Sequence, residues 1–204
     1  MARLKAKWNQ TQHERSPEQI ASVVSSNIWM LAADSCLSLE NEGFETNTHS
    51  QRMDVICEFL AFSLHVVDRM TFGELEEEER VRFINALGVN LANLVHDNRL
   101  DSNGPGEHRK QFIELLNVRM DAYSDCHYDV DEGPGFGLKR VAGNCVMAVM
   151  GAKDQKWIPD YVIDVEVPKV VKGIQRVMTG MGESLDNSDF EMPPIPENGT
   201  WGDE

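Results

Sequence analysis

Basic residues are scarce in this chain: 19 Lys and Arg stand against 34 Asp and Glu, for a formal net charge of −15 over 204 residues. That deficit argues against binding nucleic-acid backbones or anionic membranes, both of which need clustered Lys and Arg. Nothing approaches the roughly 20 consecutive apolar residues of a membrane span. The first residues, MARLKAKWNQTQHERS, lack the apolar core of a secretory signal. The four cysteines, Cys36, Cys57, Cys126 and Cys145, form no C-x-x-C pair. Three of them sit among apolar residues, where a free thiol behaves as a small hydrophobe. Reduced thiols and no export signal lead us to expect a cytoplasmic protein.

Motifs of the common chemistries are missing as well. There is no G-x-S-x-G and no His-Glu-x-x-His. GPGFG at 133–137 lacks the lysine of a phosphate-binding loop. The acidic loop CHYDVDEGPGF at 126–136 fails the calcium pattern. Counted from Asp125 or from Asp129, positions 6 and 12 fall on Val130 and Phe136, or on Pro134 and Arg140, where glycine and glutamate are required.

What is present is helical patterning. Ser16-Pro17-Glu18-Gln19 combines an N-cap serine, a proline at the first helical position and glutamine at N3. It opens a helix expected to stop at Gly43. Thr48 with Gln51 has the same spacing and opens a second helix through about Phe72. Thr71 with Glu74 repeats it for a third, through about Asn98. Residues 101–106 read as a loop. Further helices are expected over about 107–125 and 137–150.

Residues 160–178 carry two signals. YVIDVEV alternates like a strand, yet Ile163, Val167, Val170, Val171, Ile174 and Val177 keep a helical period. A lone strand would leave its backbone groups unpaired, so the expectation is a helix bent at Pro168. The fold class is therefore all-α: a compact bundle of about six helices over 16–181, flanked by a basic arm (1–15) and an acidic segment (182–204). Residues 182–204 hold seven acids and no Lys or Arg. They are expected to be disordered, with Phe190 and Trp201 as isolated aromatics.

One segment poses a functional question. In CEFLAFSLHVVDRM (57–70), Glu58, His65 and Asp68 interrupt an apolar helix. At about 100° per residue they share one arc with Asp54 and Arg69. As a site, the three would be ligands for a transition metal such as iron, manganese or zinc, or an acid–base set in a bundle. Against this stands the absence of any Glu-x-x-His, the pattern that di-iron bundles use. The simpler expectation is the wet edge of a central helix, with an ion pair such as Asp68 with a nearby arginine. The leading functional expectation is a non-enzymatic protein that binds another protein. It would be an accessory, chaperone-like or immunity-like factor with no cofactor, a basic partner and scope for homodimerisation.

Overall fold

The computed structural model describes residues 16–152 and 155–183. The expected arm (1–15) and most of the expected acidic segment lie outside the described residues. The fold is all-α. Five long helices are α1 (Pro17–Asn41), α2 (His49–Thr71), α3 (Glu77–Asn103), α4 (His108–Ser124) and α5 (Phe136–Val149). A sixth, interrupted helix consists of α6 (Ile158–Tyr161), a π turn (Val162–Glu166) and α7 (Val167–Glu183).

Local chemistry sets most of the boundaries. Ser16 and Gln19 form the full reciprocal capping box at the start of α1, and Thr48 accepts from the Gln51 amide at the start of α2. Each occupies donors that a helix start leaves open. The third expected cap does not form. The Thr71 hydroxyl donates back to Val67 and Asp68 carbonyls, and α2 ends at Thr71 because Phe72 is extended. The α3 helix starts later, at Glu77, with no side-chain cap but with Glu77, Glu78 and Glu79 in its first turn. Those charges suit the positive end of the helix dipole. At its other end α3 runs past Asn98 to Asn103 and stops at Gly104, whose φ of 75° suits glycine.

Residues 158–183 are helical, in keeping with the apolar period of 160–178, and a π turn precedes Pro168. Proline has no N–H to offer the carbonyl four residues back, and its ring crowds that carbonyl. Widening the preceding turn relieves both. The Val167 amide reaches back five residues to the Val162 carbonyl, the π pattern. The acidic loop contains a small antiparallel pair, Tyr128–Asp129 (β1) with Gly133–Pro134 (β2). Asp129 closes its turn by accepting from the amides of Asp131 and Glu132.

The central element is α2, with fourteen of its 23 residues buried. It contacts α1, α3, α4, α5 and α7, and so apolar a helix needs cover on most of its circumference. Ion pairs fix direction: Arg99 Nη2 lies 2.5 Å from Asp54, and Asp68 pairs with Arg80. The end of α2 therefore meets the start of α3. Glycine allows a close backbone approach at Gly143, where an added Cβ would lie 3.0 Å from Pro159 Cα and 3.1 Å from its carbonyl oxygen. Backbone cannot give way easily, so Gly143→Ala is expected to lose about 1–2 kcal/mol despite its better helix propensity. Gly137→Ala, with nothing within 4 Å, should instead gain up to about 1 kcal/mol. Urea midpoints of the two variants should move in opposite directions; a shared sign would show that α5 is not packed this way.

Candidate functional site

The middle of the polar strip of α2 is not a wet edge, although Asp54, Asp68 and Arg69 at its ends stay partly exposed. Glu58 is 2% exposed and His65 is 3% exposed. Helix α4 covers them, because Arg119 and Tyr123 stand one turn apart on the face that α4 turns toward α2. The Arg119 guanidinium grips Glu58 side-on, Nε to Oε2 at 2.7 Å and Nη2 to Oε1 at 2.8 Å. Two parallel charge-assisted bonds of this kind are the strong form of the pair. The Glu58 carboxylate holds the Arg119 guanidinium above its usual range, outweighing the opposite pull of burial.

Next to the pair, Tyr123 is fully buried, and burial pushes its hydroxyl well above the ordinary phenol range, with the Cys145 thiol beside it. The His65 ring lies 5.4 Å from the Tyr123 ring, centroid to centroid. Neither His65 nitrogen has a hydrogen-bond partner among the described residues. Burial, with Arg69 adding to it, lowers His65 to about 4. His65 is therefore neutral at neutral pH. Asp68 is engaged separately, by Arg80, in the kind of ion pair that the sequence suggests for it.

The three sequence candidates thus share one side of α2 but have different partners. Among the described residues no three His, Cys, Asp or Glu side chains form a group able to hold a metal ion. None of the three lines either described cavity. One cavity, of about 220 Å³, is bordered by Asp54, Cys57, Arg99, His108 and Phe112. The other, of about 380 Å³, is an open cleft between His96 and the first turns of α4. Cys57 sits 3.7 Å from Arg99 Nη2, yet burial still raises its thiol to about 11. A thiol so protonated is a poor nucleophile. The pairs around α2 neutralise charge: Glu58 with Arg119 and Asp68 with Arg80.

The helical period of Phe112, Leu115, Leu116, Met120 and Tyr123 puts Tyr123 on the core face of α4, but it does not find Arg119. The signal that would have found it is their four-residue spacing, which puts both on one side of the helix.

A different feature stands on the outside. In α1, residues 19–33 (QIASVVSSNIWMLAA) contain no charged side chain. The helix is by length and composition apolar enough to cross a bilayer, but here its inner face, including Ala21, Val24, Ile28, Ala32 and Leu39, lies in the core. Its outer face keeps Val23, Met30 and Leu37 at 42%, 65% and 52% exposure. Spaced by seven, these three line up along the helix within about 40°. Isolated exposed apolar residues are ordinary; these three stand out because they share one line along the helix. No known protein family, characterised protein or solved structure matches the chain.

Proposed function

We propose that this protein acts by binding another protein, as an accessory, chaperone-like or immunity-like factor, and not by catalysis. The observation that carries the reading is the exposed row Val23, Met30 and Leu37 on the largely charge-free face of α1. An amphipathic helix laid along that row would bury its own apolar face in the same register. The net charge of −15 steers basic partners toward the molecule from a distance, an effect that weakens as salt screens it.

The test is affinity capture from native lysate at low and at high salt, with the wild-type protein beside Met30→Glu. Met30 is the most exposed of the three, so the variant keeps its fold and loses only the apolar contact. A stoichiometric partner recovered by wild type, released by salt and lost in the variant is the expected result. If the variant captures the same protein equally well, or neither captures one, the reading fails.

A further inference from the structure

The row on α1 has a neighbour of unusual charge for this chain. Helix α7 runs antiparallel to α1: Lys169 Nζ lies 2.7 Å from Asp34, and four residues further along α7, Gly173 lies against Leu31, three residues back along α1. The approach there is so close that a Cβ at 173 would stand 2.5 Å from a Leu31 methyl. At 1.5 Å rise per residue, the end of α7 at Glu183 lies about 15 Å beyond Gly173. In the same register that distance reaches the part of α1 around Ala21 and Val23. The flank of α7 that follows α1 carries Lys169, Lys172 and Arg176, at i, i+3 and i+7. Lys172 and Arg176 are exposed, and among the described residues neither has an ion-pair partner. Lys169 is already neutralised, by Asp34 and by Glu166 at 3.7 Å, which leaves Lys172 and Arg176 as the unpaired cations of this flank. In a chain of net charge −15 this is a local basic ledge beside an apolar row.

The segment that follows α7 has the complementary composition. Residues 184–204 contain six acids and no Lys or Arg, with Leu185, Phe190, Met192, Ile195 and Trp201 among them. Extended chain covers about 3.4 Å per residue, so Phe190 can reach roughly 24 Å from Glu183. The distance from Val23 to Leu37 along α1 is about 21 Å, so the whole row is in range.

We propose that residues 184–204 fold back onto the α1–α7 face, placing Phe190 and its apolar neighbours on Val23, Met30 and Leu37 and their carboxylates toward Lys172 and Arg176. A tethered segment competes for this surface at an effective concentration in the millimolar range, which favours it over a second copy of the chain. The docking stands by itself; its consequence, that the segment competes with a partner protein for one surface, rests on the protein-binding reading above.

The experiment uses the full chain with ¹³C-labelled methionine methyl groups, the Met30 signal being assigned by Met30→Leu. Nuclear Overhauser contacts are expected between the Met30 methyl and the Phe190 ring. Phe190→Ala should abolish them and shift the Met30 signal, and so should the charge reversal Lys172→Glu with Arg176→Glu, or high salt. A Met30 signal that shows no contact to residues beyond 183 and is unmoved by Phe190→Ala overturns the inference. So does a signal that changes with protein concentration instead, which would make a second copy the occupant. The two proposals fail separately. A partner lost in Met30→Glu without any Phe190 contact sinks the fold-back alone, while a Phe190 contact without any partner sinks the binding reading alone.

Discussion

Arg119→Ala is expected to cost about 3–5 kcal/mol of folding stability, the range for breaking a buried ion pair from one side. The reason is not that the Glu58–Arg119 pair is strongly stabilising in sum. Taking both charges out of water costs nearly as much as their attraction returns. Removing only the arginine leaves a carboxylate that is 2% exposed with neither its counter-charge nor the two donors at 2.7 and 2.8 Å. The penalty is then the desolvation of an orphaned charge. The double variant Glu58→Leu with Arg119→Leu should recover most of the loss, because no charge is left behind. Urea denaturation at pH 7 of the two variants and the wild type measures both numbers. A loss below about 1 kcal/mol in Arg119→Ala, the range of surface pairs, would mean that water reaches Glu58 after all.

Acid should expose the second large effect. His65 is held down to about 4 by burial, with Arg69 adding to it, against 6.5 in the unfolded chain. Between those values the unfolded state takes up a proton that the folded state refuses. The contribution of a neutral His65 is therefore complete above pH 6.5 and is lost progressively as the pH falls from 6.5 to 4. Across that window the loss is roughly 3 kcal/mol, at 1.36 kcal/mol per pH unit. His65→Leu removes the titrating group and leaves an apolar side chain in an apolar setting. The stability of wild type relative to this variant should therefore drop by roughly 3 kcal/mol between pH 7.5 and pH 4. Equal pH slopes for the two proteins would show that His65 is protonated in the folded state, and hence that one of its nitrogens is solvated or paired.

Both effects arise on the strip of α2 that sequence patterning singles out, and there patterning stops. The arc shared by Glu58, His65 and Asp68 is legible, since it follows from about 100° per residue within one helix. So is the need to surround α2, because its remaining circumference is apolar. Whether the strip meets water or another helix is not legible. The answer depends on Arg119, 61 residues from Glu58 in sequence, and on Tyr123 beside His65. The shared arc suggests one site; distinct partners on α3 and α4 split it, so Asp68 answers to Arg80 and Glu58 to Arg119.

The sequence by itself determined the helical class, the starts of α1 and α2, the loop around Asp129 and the helical character of 160–178. The helix of 160–178 rests on its apolar period and on the lack of a second strand to pair with. The starts and the turn rest on neighbours within about five residues, a side chain capping an amide or an aspartate closing its own turn. The failed cap at Thr71 belongs with them as a limit. Its spacing to Glu74 is right for a cap, but the hydroxyl finds the carbonyls of Val67 and Asp68 behind it. Only the tertiary structure decided which polar residues of α2 would be buried, which helix would neutralise them, and which apolar residues of α1 would stay outside. Burial and ion pairing are properties of two surfaces meeting, and a helical period states only that a face exists, not what covers it.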